Sequence, residues 1–194
     1  MIEREEIRYI EGTPVAVRAC SIERYVPHYH EDCLELMFVL KGTALVRASY
    51  DRFDMEAGDF VLINNGDVHY IRGSADNIII SIYLDLNRLK QDYEHFEYLY
   101  FICESFNANS MQEAYLQEIR RIIVSIVTEA ADRNRDADKI TAEVRKLIDI
   151  LIYKFDLVHY HNGRDISETQ LERYHRIVME VEQRYSEKLE LEDI

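Results

Sequence analysis

Three histidines and one glutamate in the first half of the chain have residue types and spacings that suit metal binding. His28 and His30 are two residues apart, Glu35 follows shortly after them, and His69 comes after a second turn-rich segment. In an extended strand, residues two apart point to the same face, so the first two imidazoles can lie together. Imidazoles with a carboxylate form a ligand set that Zn, Ni, Mn or Fe favour. We call these four residues the His/Glu cluster.

Short strands are the elements that must position the cluster. Apolar runs broken by turn residues extend from Pro14 to Leu86, which predicts an antiparallel barrel or sandwich. The predicted strands are Pro14–Cys20, Leu34–Leu40, Thr43–Ser49, Phe60–Ile63 and Ile78–Leu84. The run Leu34–Leu40 carries apolar residues on both faces, so we expect it to be buried on both sides.

The second half of the chain has a helical pattern. Apolar residues recur every three or four positions in Gln112–Ala131 and again in Asp138–Val158, which predicts two amphipathic helices. The short polar link Asp132–Ala137 favours an antiparallel pair. The conformation of residues 91–111 is left open. One option is a helix over Asp92–Phe101 that packs its aromatic side chains against a barrel edge, these being Tyr93, Phe96, Tyr98 and Tyr100.

Charge and composition exclude several functional classes. The chain has 23 Lys and Arg against 37 Asp and Glu, a net charge of −14 that repels nucleic acid. The acidic runs Glu3–Glu6 and Glu187–Asp193 are expected to be solvated surfaces. The N-terminus is acidic and no apolar run reaches membrane-spanning length, so we expect a cytoplasmic protein without a membrane partner. Three cysteines without CxxC spacing favour neither disulfides nor a thiolate zinc site.

The spacing of the cluster resembles the two sequence motifs of the cupin family. His-x-His, four residues, Glu, six residues and Gly42 match the first motif, except that Ile22 stands where its first Gly would be. The second motif begins at Gly58 and departs twice, with Asn64 in place of Pro and Gly73 in place of Asn. The resemblance implies a β + α fold, in which a jelly-roll barrel, or double-stranded β-helix, precedes the helix pair. It also implies that the His/Glu cluster holds a divalent metal.

The C-terminal segment resembles the start of the DNA-binding domain of AraC-type transcription regulators. After a polar break at His161–Asp165, a helix is predicted from about Thr169 to Tyr185, and Tyr174–Ile194 reads as one helix, a turn and the opening of another. A cupin barrel, a helix pair and this segment follow one another in the order found in that family. The resemblance implies an effector-sensing barrel at 1–90, dimerisation helices at 91–165 and a truncated helix-turn-helix domain at 166–194.

The resemblance to these regulators also implies partners. A small-molecule effector, with a sugar as one candidate, would bind inside the barrel, and DNA would be contacted only through the missing C-terminal residues. The candidate effector contacts are His28, His30, Glu35, Arg47, His69 and Tyr83. We expect a homodimer, because the two apolar stripes offer more surface than one small barrel covers. The alternative is that both stripes pack on the barrel of their own chain.

Two other functions use the same fold. AraC-type sensors often keep the cupin motif without a metal, so a metal-free barrel stays open as an alternative. A metal-dependent cupin enzyme, of the isomerase or dioxygenase type, would use the same four ligands with open positions for substrate. No separate acid–base pair stands out in the sequence, so no catalytic residue is assigned and we expect a regulator rather than an enzyme. A metal-free structural cupin would explain the fold but not the C-terminal segment.

Overall fold

The computed structural model describes residues 2–48, 51–93, 96, 99–106 and 112–159, and within them strands precede helices. The first nine strands are β1 (Glu3–Arg4), β2 (Val15–Cys20), β3 (Arg24–Tyr29), β4 (Cys33–Lys41), β5 (Thr43–Ala48), β6 (Asp51–Glu56), β7 (Phe60–Ile63), β8 (His69–Gly73) and β9 (Ile78–Asp85). They are followed by α1 (Leu86–Leu89), β10 (Leu99–Ile102), α2 (Glu113–Ala131), α3 (Ala137–Lys154) and β11 (Asp156–His159).

Two sheets form the barrel. One has the strand order β1-β3-β8-β5-β6 and the other has the order β2-β9-β4-β7. Alternate residues of each strand face the space between the sheets, where Val46 and Ile71 of the first sheet pack with Met37 and Val61 of the second. The predicted fold class, a cupin-like barrel followed by a helix pair, is confirmed.

The apolar runs predicted the apolar strands and missed the polar ones. Each of the five predicted runs overlaps a strand, and Leu34–Leu40 is buried over most of its length, with Leu40 as the exposed exception. Strands β1, β3, β6 and β8 match none of the predicted runs, because charged and polar residues interrupt their apolar pattern. Sheet pairing, rather than their own hydrophobicity, makes these segments extended.

The two long helices are antiparallel and cover the four-stranded sheet. The ammonium group of Lys154, at the end of α3, lies 5.4 Å from the ring centre of Tyr115, near the start of α2. At the other end of the pair, Lys139 and Glu129 form an ion pair. Apolar residues of both helices share one core with strand residues such as Leu36 of β4. Neither long helix, within the described ranges, is apolar enough to cross a membrane.

The expectation of uncovered helical stripes is wrong. Apart from Val158, whose side chain is not described, the stripe residues of both helices are buried or partly buried in the core that they share with the barrel. The buried ones include Leu116, Ile119, Ile123 and Ile126 of α2 and Val144, Leu147, Ile148 and Leu151 of α3. One barrel therefore covers both stripes, because they pack on the outer face of a four-stranded sheet. The dimer prediction loses this support and now depends on the resemblance alone.

One secondary-structure expectation is corrected near the helix pair, and one option that the sequence left open is excluded in part. The second helix ends at Lys154 rather than Val158, and the next residues form β11, which pairs antiparallel with β10. A helix over Asp92–Phe101 is also wrong at its end, where β10 begins at Leu99. Phe155 continues the helical stripe, so periodicity did not reveal a boundary that strand pairing sets. Residues 160–194 lie outside the described residues, and the three domain limits stay predictions.

Candidate metal centre and adjoining cavity

The two sheets bring the His/Glu cluster together between them. His28 in β3 is the direct register partner of His69 in β8, and His30 follows β3 by one residue. Glu35 comes from β4 of the opposite sheet. All four residues are buried, and one ligand atom from each lies within 4.8 Å of the others. The prediction that these four residues converge is therefore supported by their geometry.

Each histidine turns its Nδ1 atom toward a backbone carbonyl. The carbonyl partners are those of Val26 for His28 (2.9 Å), Glu5 for His30 (3.4 Å) and Asp67 for His69 (2.9 Å). A carbonyl oxygen can only accept, so these contacts favour the tautomer with hydrogen on Nδ1 and a lone pair on Nε2. Metal-binding histidines are oriented by the same kind of contact. The three Nε2 atoms are thus prepared to act as ligands.

The centre of the cluster holds more acceptors than donors. Oε2 of Glu35 lies 3.1 Å from Nε2 of His30 and 2.9 Å from Nε2 of His69. The Nε2 atom of His69 is shielded from solvent and faces this carboxylate oxygen. Buried acceptors that face one another are costly without a proton or a cation between them. A divalent metal would satisfy all four ligands at once, so the residues fit the ion that the motif implies.

Burial and mutual contacts shift the protonation of the cluster in the absence of metal. Burial, together with the neighbouring His69, lowers the pKa of His28 to about 4. Burial alone would raise the pKa of Glu35, but contacts with His30 and His69 outweigh it and hold that pKa well below its usual value. Burial likewise opposes protonation of His69, yet the Glu35 carboxylate outweighs it and raises the pKa. Glu35 is therefore ionised, as a metal ligand must be.

A cavity of about 270 Å³ adjoins the cluster. Glu35 and His28 form part of its wall, together with Tyr83, so one further effector candidate lies beside the cluster. The other lining residues are Arg18, Cys20, Ser21, Ile22, Glu23, Arg24, Tyr25, Ile71 and Ser81. This volume is at the small end of the range for ligand pockets, so it suits a small molecule.

Arg47, the remaining effector candidate, lies elsewhere. Its neighbours Val46 and Ala48 in β5 point into the barrel core. Successive residues of a strand face opposite sides, so the Arg47 side chain leaves the sheet on the outer face. The expectation that it contacts an effector inside the barrel is corrected, since an exact strand register was needed to assign its face.

Three residues near the cluster were missed by the sequence analysis. Glu5 is mostly buried, whereas the run Glu3–Glu6 was expected to be solvated, and its backbone N–H donates to Tyr29. Arg18 and Tyr25 line the cavity beside it. Sequence spacing gives no signal for Glu5 or Arg18, because only the folding of the N-terminal segment over the barrel brings them to the cluster.

The three positions that depart from the cupin motifs, Ile22, Asn64 and Gly73, each make specific contacts. Gly73 lies against Ile22, and a Cβ atom at position 73 would be 2.3 Å from the Ile22 carbonyl oxygen. The Asn77 side chain completes this contact, accepting from the Ile22 N–H at 3.0 Å and donating to its carbonyl at 2.9 Å. Asn64 uses its amide in the same way on the backbone of Phe101. The substituted positions therefore have structural partners of their own.

Comparison with protein families agrees with this architecture. Residues 19–83 match the family described as cupin domain. The fold is a cupin barrel. No curated protein shows a significant match to the chain.

Solved structures similar to the cupin barrel cover less than half of the chain. One is a cupin-2 domain containing protein from Shewanella frigidimarina, with 20% identity and a TM-score of 0.33 over 39% of this chain and 72% of that chain. Another is a predicted oxalate decarboxylase from Thermotoga maritima, with 21% identity and a TM-score of 0.33 over 37% and 65%. KdgF from Halomonas sp. has 17% identity and a TM-score of 0.34 over 40% and 77%.

Proposed function

We propose that this chain binds a divalent metal ion through the His/Glu cluster and a small-molecule effector in the adjoining cavity. The observation that carries the proposal is that three histidines gather around one buried carboxylate, each with its Nδ1 atom facing a backbone carbonyl and its Nε2 atom free to be a ligand. Zn, Ni, Mn and Fe all accept such a set. When bound, the metal would polarise or anchor an oxygen of the effector.

The cavity residues would determine how an effector is oriented. Arg18 contributes a positive charge and Tyr83 an aromatic face. The two side chains lie together, with the guanidinium carbon of Arg18 5.5 Å from the ring centre of Tyr83. Ile22 and Ile71 provide apolar surface at the same cavity. An effector with one charged or polar end and an apolar body would match these groups.

The wider proposal is that the chain is the effector-binding and dimerising region of an AraC-type regulator in the cytoplasm. Its support is the order of a cupin barrel, an antiparallel helix pair and the segment Tyr174–Ile194, which resembles the start of the DNA-binding domain. Regulation by an effector requires that it bind two states of the protein with unequal affinity. The region would then transmit the difference to a DNA-binding domain joined to it.

A cupin enzyme of the isomerase or dioxygenase type is the second candidate. The observation in its favour is that the His/Glu cluster forms part of a cavity wall, so a bound substrate could reach the metal ligands. Enzymes and sensors with this arrangement differ in what happens to the bound molecule. Turnover is therefore the measurement that separates them.

Metal analysis of the purified chain tests the common part of the proposal. We expect about one divalent ion per chain, lost in Glu35→Gln and retained in Glu56→Gln, an exposed carboxylate at the end of β6 that serves as the charge-matched control. Equal metal content in both variants would overturn the assignment. Small molecules retained by the metal-loaded protein should be identified by mass spectrometry and incubated with fresh protein. Recovery of the same molecules unchanged supports a sensor, whereas their conversion to a product supports the enzyme.

A further inference from the structure

The Glu5 carboxylate lies at the edge of the His/Glu cluster. Its side chain is 16% exposed, and the residue directly follows the short N-terminal strand β1. Oε1 lies 2.7 Å from Nη1 of Arg18, whereas Oε2 lies 3.5 Å from Nε2 of His28 and 3.9 Å from Nε2 of His30. One carboxylate of this chain therefore bridges the cavity arginine and two of the metal ligands.

The Glu5 Oε2 atom is buried without a hydrogen-bond donor in the described part of the chain. It is shielded from solvent and makes no hydrogen bond within the described residues. A carboxylate oxygen buried in this way is costly unless a cation or donor faces it. Oε2 is directed at the cluster and Oε1 is held by Arg18, so Glu5 occupies a position that suits one carboxylate group.

The surroundings of this position resemble a small binding site. Arg18 is held against the ring of Tyr83, and both line the cavity. The ring of Tyr25 meets His28 edge to face, with centroids 4.5 Å apart. Arg24 adds a second cationic side chain to the lining. The net charge of −14 repels anions at long range, so these local cations must supply the attraction.

We propose that Glu5 is a built-in competitor for an anion position between Arg18 and the His/Glu cluster, and that the effector is a small carboxylate which displaces it. This inference rests on the proposed function in placing the effector in the same cavity. It does not require the metal, because Arg18 already holds a carboxylate at this position. It replaces the sugar considered above with a small anion that carries an apolar body.

Calorimetric titration with benzoate, and with benzamide as the uncharged analogue, tests the proposal. Glu5→Gln keeps the side-chain shape and frees Arg18, so we expect it to bind benzoate at least about tenfold more tightly than the wild type. Glu6→Gln is the matched control, because Glu6 is the exposed neighbour and its change alters the net charge equally. We expect it to behave as the wild type. Adding Arg18→Gln to Glu5→Gln should abolish the gain for benzoate and leave benzamide unaffected.

Two results would overturn the inference: equal benzoate affinity of Glu5→Gln and Glu6→Gln, or an equal gain for benzamide. Should Glu5→Gln fail to fold by circular dichroism, Glu5→Asp provides the same test, since it withdraws the carboxylate by one methylene and should give a smaller gain. Metal content, measured on the same samples, separates the two proposals. A benzoate gain in a chain without metal refutes only the metal assignment, whereas bound metal without a benzoate gain refutes only the carboxylate site.

Discussion

His28 and His69 face each other directly across the β3–β8 strand pair, with ring centroids 4.1 Å apart. Directly opposed residues in an antiparallel pair have the closest Cβ atoms in a sheet. Two imidazoles that the sequence separates by forty residues are therefore held at ligand distance by backbone pairing. The opposite sheet needs to contribute only Glu35 to complete the set.

Metal affinity should depend on His69. Replacing it with Gln removes a fully buried nitrogen ligand, so we expect affinity for Zn²⁺ to fall by about two orders of magnitude or more, since even partners behind the ligands contribute 10–100-fold. Competition with a chromophoric chelator measures the loss. Tyr70→Phe, at the adjacent position on the outer face of β8, is the control and should keep wild-type affinity. Unchanged affinity in His69→Gln would remove this residue from the metal site.

Metal should also stabilise the fold. A ligand that binds only the native state adds about 2.7 kcal/mol at a concentration one hundred times its dissociation constant. We therefore expect Zn²⁺ to raise the unfolding temperature of the wild type and not that of Glu35→Gln. Differential scanning calorimetry with Zn²⁺ and with EDTA makes the comparison. A similar rise in both proteins would indicate binding away from the cluster.

Acid should destabilise the metal-free protein through His28. Its pKa is about 4 when folded and near 6.5 when unfolded, so below pH 6.5 the unfolded chain takes up a proton that the folded chain does not. This difference costs about 2 kcal/mol between pH 7 and pH 5. His28→Gln should lose that part of the pH dependence in urea unfolding with EDTA. Val26→Thr, an exposed neighbour, should keep it.

The raised pKa of His69 changes the stability of the fold with pH in the opposite direction. Its stabilising contribution is complete below the unfolded value and declines as the pH rises through the folded value. The free energy of unfolding of the wild type therefore changes with pH through opposing contributions from His28 and His69. The difference between wild type and His28→Gln isolates one of them, and a difference that does not change with pH would contradict the assignment.

Asn77 should be important for stability although it is not part of the cluster. Its amide satisfies both backbone groups of Ile22, so Asn77→Ala leaves two polar groups without these bonds and should cost about 2–3 kcal/mol. Asn65→Ala, at an exposed turn position, should cost much less. Chemical denaturation of the two variants gives the comparison. Equal losses would show that the contact between Ile22 and Asn77 is dispensable.

The regulator assignment predicts assembly and DNA binding. Light scattering of residues 1–194 should give twice the chain mass of 23.1 kDa. The fragment should not bind DNA, while a protein extended beyond Ile194 should bind two half-sites with a salt-dependent affinity. Fluorescence anisotropy over a salt range tests this. A monomer would remove the dimer prediction, and salt-sensitive DNA binding by the fragment itself would contradict the charge argument.

Local sequence determined the apolar strands, both long helices and the pairing of His28 with His30. These two histidines are two residues apart, the spacing that puts side chains on one face of an extended segment, and the apolar runs had the correct period for the buried strands. These features are encoded by near neighbours in the chain. They could be read because each depends on the repeat of one element rather than on contacts between elements.

Only the tertiary structure decided which surfaces met. It placed the helical stripes on their own barrel, turned Arg47 outward and brought Glu5 to Arg18 and the His/Glu cluster. It also ended α3 at Lys154, where the chain pairs with β10. Each outcome depends on strand register or on packing between segments distant in sequence. Hydrophobic burial favours any apolar cover and opposite charges attract any partner, so the pattern of one segment cannot specify which distant segment it will contact.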